Sequence, residues 1–225
     1  MKKSVYMNNK DGKKIDGLKS KKVSDLTLAR LGQYLHFLDS LDRVENDNVS
    51  SNQIGSGLGL KPSQVRKDLS FFGEFGKKSK GYDIVNLIGS LKDILGLNRH
   101  YMVGLVGVGN LGSALLNLKS LSDNGFKVVA IFDSDERKIG MVHYGHRIYD
   151  VREFTRIVSA NSIEIGIITT TSQAAQQTAD LMCEAGIRGI INFTTKRIVV
   201  PDSIFLQQVD MTLEFFVLSH YLSSK

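Results

Sequence analysis

The chain has one cysteine, Cys183, in 225 residues, so it cannot build an intramolecular disulfide framework, which fits a reducing compartment. Cys183 lies in TADLMCEAG, a helical pattern in which a small core residue is expected rather than a reactive thiol. No apolar run approaches the length of a membrane span. The lysine-rich N-terminus lacks the apolar segment and small-residue cleavage site of a signal peptide, so a cytoplasmic protein is expected. Catalytic groupings are missing as well. The histidines, His36, His100, His143, His146 and His220, form no recognisable acid–base arrangement, and there is no Ser-His-Asp signature or Walker lysine. His143 and His146 have no cysteine or carboxylate cluster beside them to complete a metal site. These absences weigh against an enzyme.

What is present is unevenly distributed. Residues 1 to 99 carry 18 Lys and Arg against 11 Asp and Glu, whereas residues 100 to 225 carry 11 against 12. A basic first half suits a polyanion, and a near-neutral second half suits a small ligand. Eight lysines fall within residues 1 to 22, where little can be buried, and a solvated, disordered tail is expected over residues 1–24.

From Leu26 the pattern is helical, with Leu28, Leu31, Leu35 and Leu38 at spacings of three and four, widened by Tyr34 and Phe37. Ser50, with Gln53 three residues on, reads as a capping box opening a short helix that should stop in the glycines from Gly55 to Gly59. KPSQVRKDLSFFG then starts a third helix with Pro62 in its first turn. Val65, Leu69 and Phe72 should face inward, leaving Ser63, Gln64, Arg66 and Lys67 on other faces. This is a helix-turn-helix plan, whose third helix can enter the major groove. Glu74 to Tyr82, with Lys77, Lys78 and Lys80, reads as a cationic β-ribbon suited to phosphates or the minor groove, the wing of a winged helix. A helix from Asp83 to Leu95 closes this domain, assigned to residues 25–98, and Gly96 to Arg99 reads as the linker.

The second half alternates strands and helices. Strands are expected at Tyr101–Val106, Val128–Phe132, Ile163–Thr169, Gly189–Asn192 and Phe205–Val209. Helices are expected at Asn110–Leu118, Val151–Ser159, Gln173–Ala185 and Met211–Leu222. That order implies an α/β, Rossmann-like parallel sheet over residues 99–209, with the ligand beyond the C-terminal strand ends. There stands Gly107-Val108-Gly109-Asn110-Leu111-Gly112, directly after an apolar strand. Gly107 suits a tight turn, Gly109 clears the path of a pyrophosphate, and Gly112 lets the next helix pack closely. The helix opening at Asn110 would point its N–H groups at the phosphates. Asp133, Thr169, Thr170 and Thr171 should stand at the same sheet edge. The final segment, residues 210–225, is apolar nearly all round through Met211, Leu213, Phe215, Phe216, Val217, Leu218, Tyr221 and Leu222. Such a helix must be buried, and a second subunit is a natural place for it.

QVRKDLS with GEFG, a basic wing and GVGNLG in this order resemble the Rex family of redox-sensing transcriptional repressors, from about Leu26 to the C-terminus. The resemblance implies a homodimer in which a winged helix reads operator DNA, a Rossmann domain binds NADH or NAD⁺, and a C-terminal helix is swapped between subunits. It implies release of DNA when NADH binds. Carried onto this chain, DNA contacts fall on Lys61, Ser63, Gln64, Arg66, Lys67, Lys77 and Lys78, and cofactor contacts on Gly107 to Gly112, Asp133, Thr169 to Thr171, Asn192 and Phe193. Asp133 would hold the adenosine ribose and repel a 2′-phosphate. Arg30 and Asp210 match positions that couple the two domains, and Phe215, Phe216, Leu218 and Leu222 would serve the dimer.

The chain departs from that family in its ligand half. Thr171 and Thr195 stand where prolines are usual, Leu118 where an aromatic is frequent, and Tyr144-Gly145 where a glycine pair occurs. Threonine adds a hydroxyl and removes the φ restraint. In that family both prolines would lie near the nicotinamide end, so with threonines there a response to another nucleotide, such as a CoA derivative, or to none, is the alternative. An NAD-dependent oxidoreductase is the remaining class.

Overall fold

The computed structural model describes residues 23–41, 47–73, 76–77 and 81–224. It forms two compact units that divide between Gly96 and Leu97, at the near edge of the expected linker. The lysine tail through residue 22, and Lys78 on the expected wing, lie outside the described residues.

The first unit opens with α1 (Asp25–Ser40), whose N-cap Ser24 accepts the Thr27 N–H and whose Leu31, Tyr34, Leu35 and Leu38 are buried. After β1 (Asn48–Val49), α2 (Ser51–Leu58) begins at a complete capping box, with Ser50 and Gln53 bonding each other's backbone N–H. As expected, this helix stops within the glycine stretch: it runs through Gly55 and Gly57 and ends on Gly59 at φ 66°. Packing explains the two glycines inside the helix. A Cβ at Gly55 would lie 2.6 Å from the Leu60 carbonyl oxygen, and one at Gly57 2.2 Å from the Phe37 ring. The glycines let α2 approach its neighbours closely, which outweighs their low helix propensity of about 1 kcal/mol each. α3 (Pro62–Ser70) has Pro62 in its first turn and buries Val65 and Leu69; Phe72, just beyond it, is only half-buried. It also buries Asp68, which apolar periodicity did not anticipate. β2 (Gly76–Lys77) and β3 (Gly81–Asp83) pair antiparallel, and β1 joins the other edge of β3. α4 (Ile84–Leu95), capped by Asp83 and ended by Gly96 at φ 71°, closes the unit over Leu87, Ile88 and Leu91.

The second unit contains β4 (Tyr101–Val106), α5 (Asn110–Leu116), α6 (Lys119–Asp123), β5 (Phe126–Asp133), β6 (Val142–His143) and β7 (His146–Asp150). A short 3-10 turn leads to α7 (Phe154–Ala160), followed by β8 (Ile165–Ile168), α8 (Ala175–Glu184), β9 (Gly189–Asn192), β10 (Phe205–Gln208) and α9 (Thr212–Ser223). The sheet order is β10-β9-β8-β4-β5-β7-β6, parallel except for β6 against β7. Residues alternate between two cores: Val106, Phe132 and Ile168 pack with α7 and α8, whereas Leu105, Ile131 and Ile167 pack with Leu115 and Leu116 of α5. Strand order reverses between β4 and β8, which opens a crevice at their C-terminal ends. The β6–β7 hairpin was not anticipated, because its two-residue turn at Tyr144-Gly145 takes φ 46° at a tyrosine, where sequence patterns favour Asn or Gly.

Candidate functional site

The three glycines after β4 have three different environments. Gly107 turns at φ 103°, donates its N–H to the Phe132 carbonyl at 2.8 Å, and would place a Cβ 2.7 Å from Thr169 backbone atoms. Gly112 would place a Cβ 2.2 Å from the Gly107 carbonyl oxygen, so α5 reaches the loop only without a side chain there. Gly109 is the opposite case: no heavy atom stands within 4 Å of its Cβ direction, and its backbone is extended, at φ −93° and ψ −163°. The open space beside Gly109 is where backbone can meet phosphate. Thr169 Oγ1 donates to the Gly107 carbonyl at 2.7 Å and ties the loop to the end of β8.

A cavity of about 710 Å³ lies along this edge, walled by Gly107, Gly109, Asp133 and Thr169 to Thr171, with Arg152 and Gln177 also lining it. Its size is that of a cofactor site. Asp133, almost fully buried, is held by three donors. Its Oδ2 accepts the Val108 N–H at 2.9 Å and Lys138 Nζ at 3.0 Å, and its Oδ1 accepts the Asp135 N–H at 3.0 Å. Burial pushes its carboxyl pKa upward, but the Asp135 N–H, the Lys138 ammonium and the Val108 N–H outweigh this and hold it below the usual range. An ionised acceptor therefore faces the cavity, as a ribose hydroxyl requires. Lys138, which the sequence reading missed, also donates to the Val108 carbonyl at 3.1 Å and so braces the loop. Its only signal in the sequence was a lysine five residues after Asp133.

Not every expected cofactor residue reaches this wall. Val108 is buried with the α5-side core, and Asn110 and Leu111 are exposed on α5. Asn192 does not line the cavity: it is fully buried, donating to the Lys196 carbonyl and Gln208 Oε1, each at 2.8 Å, and accepting the Thr194 N–H at 3.0 Å. These three bonds hold the loop after β9 to β10, and Phe193 packs against the α5-side core. The two unusual threonines lie near each other's loops, and Thr195 Oγ1 is 3.1 Å from Ser172 Oγ. Leu118 follows the end of α5, two residues earlier than expected, and is half-exposed. His143 Nε2 lies 2.8 Å from Ser113 Oγ, which joins the hairpin to α5.

In the first unit, Lys61, Ser63, Arg66 and Lys67 are exposed on or beside α3, while Gln64 is half-buried. Arg66 Nη1 donates to Ser51 Oγ at 2.8 Å. Lys77 sits on β2. Arg30 is held within its own unit: its Nε and Nη2 donate to the Asp68 carboxylate at 2.6 and 2.8 Å. Burial raises the Asp68 pKa, but hydrogen bonds from Arg30, Tyr34 and Gln64 outweigh it and hold the group ionised. Asp210 Oδ1 accepts the Thr212 N–H at 3.0 Å, just before α9. None of α9 is buried within the chain; Phe215, Phe216, Leu218 and Leu222 are 54–69% exposed.

Residues 22–70 match the family model described as a putative DNA-binding protein N-terminus, and residues 98–196 match the CoA binding domain. The redox-sensing transcriptional repressor Rex of Desulforamulus reducens is 38% identical over 208 residues, covering 92% of this chain and 99% of that protein. Its counterpart in Maridesulfovibrio salexigens is 40% identical over 207 residues, with 92% and 99% covered. The chain belongs to the Rex family. Among solved structures, the Rex-family repressor RSP in complex with β-NAD⁺ and operator DNA superposes with a TM-score of 0.85 at 34% identity, covering 90% of this chain and 93% of RSP. RSP with β-NADH gives 0.81 at 33% identity, covering 90% and 95%. Rex relatives are named as repressors and not as enzymes, and the winged-helix and Rossmann halves of this chain follow their architecture. Among the described residues, no helix is long and apolar enough to cross a membrane.

Proposed function

We propose that this Rex-family chain is a cytoplasmic, dimeric transcriptional repressor whose hold on operator DNA answers to NADH and NAD⁺. The observation that carries this reading is the open, side-chain-free approach at Gly109 beside an ionised Asp133, in a chain matching RSP bound to β-NAD⁺ and operator DNA. The pyrophosphate lies against Gly107, Gly109 and the start of α5, and Asp133 takes the adenosine ribose. Thr169, Thr170 and Thr171 border the remainder of the ligand. On the DNA side, Arg66 and Lys67 supply cations to phosphate or guanine, with Lys61, Ser63, Gln64, Lys77 and Lys78 beside them. The exposed apolar surface of α9 is covered by a second copy, whose twofold symmetry matches a palindromic operator. Arg30 and Asp210 carry the coupling between ligand and DNA, so NADH favours the state that releases DNA.

The test is a titration. Duplexes enriched from a random pool are bound to the protein, and NADH, NAD⁺ and acetyl-CoA are added separately while DNA anisotropy is followed. Release by NADH at lower concentration than by NAD⁺ is the expected result; no effect from either would refute redox sensing. The CoA arm is included because the second unit matches a CoA binding domain, which favours a CoA derivative as the second reading.

A further inference from the structure

Asp68 is the one buried charged residue among the described residues of the first unit, 4% exposed. Its Oδ2 accepts Arg30 Nε at 2.6 Å and Tyr34 Oη at 2.8 Å. Its Oδ1 accepts Arg30 Nη2 at 2.8 Å and Gln64 Nε2 at 2.8 Å. An ionised carboxylate has about four acceptor sites, so this set fills them. Asp68 therefore has no capacity left for DNA; it acts on its neighbours.

The neighbour with chemistry to spare is Gln64. It stands in the first turn of α3, the part of a recognition helix that reaches base edges, beside the exposed Ser63, Arg66 and Lys67. Because the carboxylate can only accept, the Gln64 amide must turn its NH₂ toward Asp68. The flipped amide would set Oε1 against Asp68 Oδ1, acceptor against acceptor. The orientation is thus dictated by chemistry, and Oε1 with the second amide N–H is left for a ligand.

We propose that Gln64 is a specificity-determining residue that reads an adenine in the operator half-site, and that Asp68, held from α1 by Arg30 and Tyr34, is the positioning residue that sets its amide. An outward Oε1 accepts from the adenine 6-amino group while the remaining N–H donates to N7. Guanine presents only the acceptors O6 and N7 at those places and is disfavoured there. This rests on α3 being the helix that enters the groove.

The experiment selects half-sites from a randomised duplex pool with the full-length protein, wild type, R66A, Q64A and D68N. Wild type should enrich a half-site with an adenine at one position. Q64A should lose preference at that position alone, and D68N should relax the same position, because asparagine accepts either face of the amide. Replacing that adenine with purine, which lacks the 6-amino group, should weaken wild-type binding roughly tenfold and leave Q64A unchanged. The purine comparison needs no substitution at Asp68, so it decides the adenine contact even if D68N folds poorly. A Q64A selection identical to wild type, a guanine at the affected position, or a folded D68N with full preference would each overturn the proposal. If wild type enriches no half-site, or R66A binds as wild type does, the groove-binding reading of α3 fails first.

Discussion

Gly109 and Gly112 sit three residues apart in one motif, yet replacing each with alanine should give opposite phenotypes. At Gly112 the new Cβ would come 2.2 Å from the Gly107 carbonyl oxygen and 3.0 Å from Thr169 Oγ1. The first of these is a backbone atom that cannot swing aside, so α5 must shift away from the loop. Overpacking of this kind costs about 1–3 kcal/mol. For a protein of this size, that lowers the melting temperature by roughly 2–12 °C. At Gly109 the Cβ meets nothing within 4 Å, and φ −93° is open to any residue. Gly109→Ala should therefore leave the melting temperature unchanged or raise it, since a compatible Gly→Ala change restricts the unfolded chain by about 0.4–1 kcal/mol. The same methyl occupies the approach of the pyrophosphate, so NADH affinity should fall at least about tenfold, a loss of about 1.4 kcal/mol. Calorimetric titration with NADH and a thermal melt on both variants measure the two quantities separately. If Gly109→Ala bound NADH like wild type, or unfolded as early as Gly112→Ala, the assignment of that open space to phosphate would be wrong.

Three further outcomes follow from the same geometry. The Asp68 carboxyl has a depressed folded-state pKa, so its stabilising contribution is complete above the ordinary carboxylate value near pH 4 and is lost as pH falls through the lower folded value. Acid titration of wild type followed by circular dichroism should show this loss below about pH 4, and D68N should lack it. Phe216→Glu and Leu218→Glu touch side chains that are 63% and 54% exposed within the chain, so secondary structure should be preserved while sedimentation shifts from dimer to monomer. Asn192→Ala removes, at a fully buried residue, the donor to Gln208 Oε1 and the acceptor of the Thr194 N–H; a thermal melt should show a loss of about 1–3 kcal/mol.

Much of the architecture was legible because period and punctuation are local properties. β4 and β9 fall where apolar runs end in glycine or asparagine, and Ser50 with Gln53, Pro62 and Asp83 mark helix starts that the backbone obeys. The backbone of the glycine loop was legible too, since the tight turn at Gly107 and the close helix contact at Gly112 each demand a missing side chain at set spacing. Other features depend on groups distant in the chain, and only the tertiary structure decided them. The stretch Gly55 to Gly59 does stop the helix, at Gly59, but Phe37 and Leu60 also make Gly55 and Gly57 a contact surface. Asp68 carries no signal of burial in its own segment; Arg30 and Tyr34, 38 and 34 residues away, supply the donors that let a carboxylate be buried. Asn192 reads in the sequence only as a strand end, and the fold decides that its amide NH₂ bonds Lys196 and Gln208. A residue's type announces which bonds it can make; where the chain folds back decides which partners are there to make them.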